Sequence, residues 1–331
     1  MKRVGLCVCL AILAAASAAH ANISWDFNYT DAAGTGFNDP VDGPARQAAM
    51  LAAANQFSDM FASDFTNSAT IDLDVKSEDN PFDGVLASCI GGDTWGGSEG
   101  FTLGETVRHK LQVGGDLNGT TADALVSVNF AQPWELDPNV TPDASHYDFY
   151  STLDHEFTHA LGFASSISEE GHSPFGYNYN EWALYDSFLK TAAGEPVIDP
   201  ITFATNIPLW FSNKTGGPSP AGGIFFWGPD AMAANGGKPV GLFSPSPWQN
   251  GSSISHIDDM NPDYAGYLML AAVGTGPSAR SYSDIEIGML QDLGYTRTQS
   301  EDVPEPGTCG LFLVGLALLK VSRRRAAPSV N

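Results

Sequence analysis

The segment STLDHEFTHALGF, residues 151–163, contains two histidines and a glutamate in the order His-Glu-x-x-His, followed by Gly162. Residues four positions apart lie on one face of a helix, so His155 and His159 can direct their imidazoles at a single ion. Glu156 then lies beside that ion, where it can take a proton from water and pass it to a leaving amine. The segment therefore predicts a zinc centre with Glu156 as its general base.

A catalytic zinc usually has three protein ligands, and this segment supplies only two. Three later residues are candidates for the third: His172, Glu181 and His256. Glu181 follows His159 at roughly the spacing by which thermolysin-like enzymes supply a glutamate ligand, but those enzymes lack the glycine at 162. His172 lies in a loop with glycine and proline and is expected to be exposed. His109 and His146 precede the motif without any matching pattern.

The wider pattern is His-Glu-x-x-His-x-x-Gly, a long gap, Ser-x-x-His and then Leu-Met. It resembles the leishmanolysin-like branch of the metzincins, a group of zinc endopeptidases. The resemblance implies three metal ligands, His155, His159 and His256. It also implies that Glu156 is the general base and that Met269 forms a tight turn beneath the metal.

The resemblance has further implications and some departures. It implies that the strand over 123–130 borders the cleft, where a peptide substrate would bind as an added strand. The resemblance to the family does not extend to residues 165–250. Leishmanolysin-like proteins are rich in disulfides, whereas Cys89 is the only cysteine of this sequence outside its two ends. We therefore expect no internal disulfide.

The N-terminal end reads as a secretory signal peptide over residues 1–21. Lys2 and Arg3 precede an apolar run over 4–16, and the sequence Ala19-His20-Ala21 provides the small residues of a cleavage site. We expect cleavage after Ala21 and export of the remaining chain.

The C-terminal segment 303–325 contains Pro-Glu-Pro, an apolar run over 309–319 and a basic tail. It resembles the PEP-CTERM sorting signal of Gram-negative bacteria. The resemblance implies a transient contact with the inner membrane followed by removal of the tail, and delivery to the periplasm, the cell surface or the medium. An ordinary C-terminal anchor is the alternative, although the apolar run is short for a membrane span.

The composition argues against nucleic acid as a partner. The 331 residues carry a formal net charge of −23, and phosphate binding requires clustered Lys and Arg. The acidic residues of 258–263, Asp258, Asp259 and Asp263 with Asn261, are a candidate calcium site, but we expect a solvated acidic loop there.

Hydrophobic spacing predicts an α+β fold. The expected elements are a helix over 44–62, strands over 69–77 and 123–130, the motif helix from Asp148 to Gly162, and a closing helix over 283–293 that starts with a Ser283–Glu286 capping box. Together with the resemblance they predict a zincin/metzincin-like architecture with a twisted mixed sheet. Its expected parts are a catalytic subdomain over 22–164 and a loop-rich subdomain over 165–300 with the third ligand.

These observations lead to one main hypothesis, an exported zinc-dependent endopeptidase acting on proteins or peptides. Two alternatives stay open at this point. One is a non-catalytic surface or matrix protein that keeps a metalloprotease fold, since PEP-CTERM proteins as a class are tied to extracellular polysaccharide. The other is a thermolysin-like site with Glu181 as the third ligand.

Overall fold

The computed structural model describes residues 23–82, 84–217 and 223–298. The described chain contains nine strands: β1 (Ile23–Tyr29), β2 (Ala69–Glu78), β3 (Ala87–Gly91), β4 (Ala124–Asn129), β5 (Trp134–Glu135), β6 (Tyr147–Asp148), β7 (Leu189–Thr191), β8 (Ile224–Phe226) and β9 (Val240–Gly241). It also contains six α-helices: α1 (Gly43–Asp64), α2 (Thr106–Val113), α3 (Phe149–Ala160), α4 (Ile207–Asn213), α5 (Pro229–Ala234) and α6 (Asp284–Asp292). Short 3₁₀ turns occur at Gly36–Asn38, Leu184–Phe188 and Pro262–Tyr264.

The main sheet has four strands in the order β1-β2-β4-β3. The first three are parallel to one another, and β3 is antiparallel to β4. The predicted strand over 69–77 is confirmed as β2, with Ile71, Leu73 and Val75 buried on one face. The sheet is therefore mixed, and the fold class is α+β as predicted.

The expected position of the 123–130 strand in the sheet is wrong. This strand, β4, pairs with β2 on one side and with β3 on the other, so neither of its edges is open. The strand that lies at the edge and lines the cleft is β3. Its sequence ASCIG is short and lacks strict alternation of apolar and polar residues, so hydrophobic spacing does not predict it.

Aromatic packing fixes the motif helix against the sheet. The ring centroid of Trp25 on β1 lies 4.6 Å from that of Phe157 on α3 and 5.8 Å from that of Phe57 on α1. The indole Nε1 of Trp25 also donates to the Ala54 carbonyl at 3.0 Å. Full burial of a phenylalanine side chain, such as that of Phe57 or Phe157, contributes about 1.5–3 kcal/mol. These contacts therefore anchor both helices to the sheet.

The remaining predicted helices are also present. The helix over 44–62 is α1, the motif helix is α3, and the closing helix is α6. The capping box is formed, since the Ser283 hydroxyl accepts from the Glu286 amide at 3.3 Å and the Glu286 carboxylate accepts from the Ser283 amide at 2.7 Å. A close approach at Gly288, where a Cβ would lie 2.8 Å from the Ala231 backbone, packs α6 on α5.

Within the described residues, no helix is long and apolar enough to cross a membrane. The predicted signal peptide, residues 1–21, and the predicted sorting signal, residues 303–325, lie outside the residues that the structure describes.

Gly162 ends the turn after α3 with a φ of 90°, in the left-handed region. A Cβ at this position would lie 2.5 Å from Oε1 of Glu105. That carboxylate cannot move freely, because its other oxygen accepts from Nε of Arg108 at 2.9 Å and from the Leu184 amide at 3.3 Å. Position 162 therefore requires glycine for two separate reasons.

We predict that Gly162→Ala destabilises the fold by at least about 1 kcal/mol more than Gly114→Ala. Gly114 is the matched control, because its φ is 79° but a Cβ at this position would have no neighbour within 4 Å. Both variants carry the cost of a left-handed alanine, and only Gly162→Ala displaces Glu105. Urea unfolding measures both free energies, and equal losses would contradict this account.

Candidate metal centre

The first turn of α3 is fixed by Asp148. Its carboxylate accepts from the amides of Tyr150 and Ser151, each at 3.1 Å, which caps the helix. Arg280 donates to the same carboxylate through Nε and Nη2, at distances of 2.8–3.1 Å. Because Arg280 comes from the segment just before α6, this pair ties the motif helix to the last helix of the described chain.

Three histidines converge at one point. The Nε2 atoms of His155 and His159 are 3.0 Å apart, and each lies 3.1 Å from Nε2 of His256. His155 and His159 are one helical turn apart on α3, and His256 reaches them from a loop that follows β9. The three residues lie close enough to bind a metal ion.

The other ring nitrogen of each histidine is held by a main-chain carbonyl. Nδ1 of His155 contacts the Leu268 oxygen at 2.8 Å, Nδ1 of His159 the Phe163 oxygen at 2.7 Å, and Nδ1 of His256 the Ser252 oxygen at 2.8 Å. A carbonyl oxygen only accepts, so Nδ1 must carry the proton in all three rings. The three Nε2 lone pairs therefore point at one another.

The surroundings keep these imidazoles neutral. Burial lowers the pKa of His155 to about 4 and that of His256 to about 3, although in each case the carbonyl contact acts in the opposite direction. Burial also lowers the pKa of His159 well below its ordinary value, and its two histidine neighbours add to this effect. Neutral imidazole is the form that binds a metal.

The donor set fits zinc. Nitrogen ligands at about 2.0–2.1 Å from a tetrahedral ion lie about 3.3 Å from one another, close to the spacing of the three Nε2 atoms. Each ring also has the hydrogen-bonded second nitrogen that orients metal-binding histidines. Three converging lone pairs without a proton between them repel one another, and a cation removes that repulsion.

Glu156 lies beside the cluster and is 6% exposed. Burial raises its pKa to about 8, while a hydrogen bond from the backbone amide of Cys89 acts in the opposite direction. Cys89 belongs to the edge strand β3, so this bond joins the carboxylate to the border of the cleft. A bound dication would favour the ionised carboxylate.

Met269 is fully buried, and its backbone lies next to the third histidine. Its carbonyl accepts from the Ile257 amide at 2.9 Å, and its amide donates to Oε1 of Glu286 at 2.7 Å. The preceding residue, Leu268, supplies the carbonyl that orients His155. Glu286 thus holds the segment that positions His155, a candidate ligand. The sequence indicates only the capping-box role of Glu286 and not this second one.

The other candidate ligands lie elsewhere. Glu181 is fully buried, and its Oε1 accepts from the Gly96 amide at 2.6 Å, away from the histidine cluster. His172 is half-buried in its loop, with its ring against Tyr177. Among the described residues, the acidic side chains of 258–263 do not bring three ligating atoms close enough to share a metal ion. The candidate calcium site therefore has no support.

The cluster opens into a cleft of about 1050 Å³. Its walls are β3, the segments 249–252 and 266–275, and the residues that follow α3. This volume is large enough for several residues of an extended peptide. Sequence reasoning missed two acidic residues in these walls, Asp93 and Glu105, because neither belongs to a motif.

No model of a known protein family, no curated protein and no solved structure matches this chain. The assignment of the site therefore depends on its own residues and their geometry.

We predict that His256→Ala lowers zinc affinity by more than about 100-fold, since loss of an orienting partner alone costs 10–100-fold. Glu181→Gln, which lies outside the cluster, should keep the affinity of the unaltered protein. Competition with a chromophoric chelator measures the zinc affinity of both variants. A site emptied by Glu181→Gln but not by His256→Ala would contradict the assignment.

Proposed function

We propose that this chain is an exported zinc-dependent endopeptidase. The observation that carries the proposal is the convergence of three histidine Nε2 atoms next to a buried glutamate, in a cleft bordered by an open strand edge. His155, His159 and His256 would hold the ion, and Glu156 would act as the general base.

A zinc ion held by these histidines would supply Lewis acidity, which would lower the pKa of a water molecule to about 7 and polarise a peptide carbonyl. Glu156 takes the proton from the attacking water and passes it to the leaving amine. The Cys89 amide holds the carboxylate toward the cleft during both transfers. The low exposure of Glu156 limits competing contacts with solvent.

The open edge of β3 is suited to an extended peptide. One edge of β3 pairs with β4, and the other faces the cleft. A substrate that binds as an added strand would bring its scissile bond past Glu156, because Cys89 lies in the middle of β3. Main-chain pairing of this kind accepts many sequences and requires an unfolded segment.

The arrangement also supports the resemblance to leishmanolysin-like metzincins. A mixed sheet, a His-Glu-x-x-His helix, a distant third histidine and a buried methionine agree with what that resemblance implies, whereas the position of the 123–130 strand does not. The predicted signal peptide over 1–21 and the PEP-CTERM-like segment over 303–325 support export, with transient contact at the inner membrane. We propose protein or peptide substrates rather than nucleic acid.

The geometry disfavours both alternatives. A thermolysin-like site would need Glu181 at the cluster, but its carboxylate contacts the Gly96 amide instead. A non-catalytic matrix protein has no use for Glu156, a carboxylate whose burial beside the histidines carries a free-energy cost.

We predict that Glu156→Gln lowers hydrolysis of unfolded casein by about 10²–10⁴-fold, the usual contribution of a general acid–base group, while zinc content stays at that of the unaltered protein. Glu195→Gln, on an exposed surface, is the control for the same chemical change and should keep full activity. Undiminished hydrolysis by Glu156→Gln would refute the proposed mechanism.

A further inference from the structure

The charged side chains that line the cleft, apart from its histidines, are all acidic. They are Asp93, Glu105 and Glu156, and no Lys or Arg is among the described lining residues. Glu156 belongs to the metal centre. The other two lie at the end of the cleft beyond the C-terminus of α3, since Glu105 packs against Gly162 and Asp93 lies two residues after the end of β3.

Glu105 already has a cationic partner. Its carboxylate forms an ion pair of 2.9 Å with Arg108, and the Leu184 amide donates to the same oxygen at 3.3 Å. Arg108 itself does not line the cleft. The pair leaves little net charge at this position, so Glu105 has no need of a ligand.

Asp93 has no such partner. Within the described residues, no hydrogen bond or ion pair involves its carboxylate. Its Oδ1 lies beside Gly91, 3.0 Å from the position that a Cβ on that glycine would take. Burial raises the pKa of Asp93 to about 6, with the charge of Arg108 acting in the opposite direction, so the group is mostly ionised at pH 7. The Asp93 side chain is exposed in the wall of the cleft, where an unpaired carboxylate can form a charge-assisted hydrogen bond with a cationic ligand.

Among the described residues, the opposite end of the cleft carries no such charge. The lining residues there come from the start of α3 and from 266–279, and they include neither a carboxylate nor a basic side chain. The cleft is therefore electrostatically polarised along its length. The net charge of −23 adds a long-range attraction for cationic peptides.

We propose that Asp93 binds a basic side chain of the substrate, on the N-terminal side of the scissile bond. This inference rests on the proposed endopeptidase function and names the class of peptide that the cleft prefers. The direction follows from β3, which runs from Ala87 toward Gly91 and then Asp93. Antiparallel pairing is the more stable arrangement, and it puts the N-terminal part of a bound peptide at the Asp93 end.

The distance along the strand sets the expected position. Cys89 lies opposite the catalytic glutamate, and Asp93 comes four residues later in the chain. With about 3.4 Å per residue in each strand, the recognised side chain should be about two to four residues before the scissile bond.

The test uses a neutral fluorogenic peptide in which Arg, Gln or Glu is moved through four positions on either side of the scissile bond. The full chain loaded with zinc is compared with Asp93→Asn and Asp93→Lys. Asp59→Asn, which removes a negative charge from the exposed face of α1, is the matched control.

We expect the unaltered protein to cleave the Arg peptide about fivefold faster in kcat/KM than the Gln peptide at one N-terminal-side position. That ratio should fall to about one in Asp93→Asn, stay at that of the unaltered protein in Asp59→Asn, and reverse in favour of Glu in Asp93→Lys. The neutral peptide should be cleaved equally by all four proteins, which excludes a folding defect.

An Arg preference that survives in Asp93→Asn, or one confined to the C-terminal side, would overturn this inference and leave the endopeptidase function standing. The same holds if the neutral peptide is cleaved and Arg confers no advantage anywhere. Failure of the zinc-loaded protein to cleave any of the peptides would instead overturn the proposed function, and this inference with it.

Discussion

Three main-chain carbonyls accept the Nδ1 protons of three histidines, and this constraint determines what the site can do. Each bond fixes one ring in the tautomer whose Nε2 carries a lone pair, and the fold aims those lone pairs at a common point. The carbonyls belong to Leu268, Phe163 and Ser252, which lie in three different segments. The donor set therefore exists only when all three segments are in position.

Much of the surrounding structure serves to hold those segments. Asp148 and Arg280 fix the start of α3, and Gly162 lets the chain turn so that Phe163 reaches His159. Glu286 binds the backbone of the segment that carries Leu268. The buried carboxylate of Glu286, at the start of α6, thus helps to position the ring of His155 on α3. Part of the candidate metal site is therefore built by α6.

Local patterns predicted the parts of the fold that depend on neighbouring residues, such as the amphipathic strand β2 and the His155–His159 pair on α3. The prediction of His256 as the third ligand depends on family resemblance, because this residue reaches the other two histidines only through tertiary packing. The prediction that the 123–130 strand borders the cleft is wrong, because strand periodicity shows which residues are buried but not which strand lies outermost. Asp93 and Glu286 could not be found in advance, because their roles come from partners far away in the sequence.

The proposed chemistry depends on one ion being bound by three imidazoles in this protein. X-ray absorption spectroscopy of the purified chain, loaded with one equivalent of zinc, tests this most directly. We expect three imidazole nitrogens and one further light atom at about 2.0–2.1 Å. A spectrum with only two imidazoles, or with a sulfur ligand at about 2.3 Å, would contradict the proposed site.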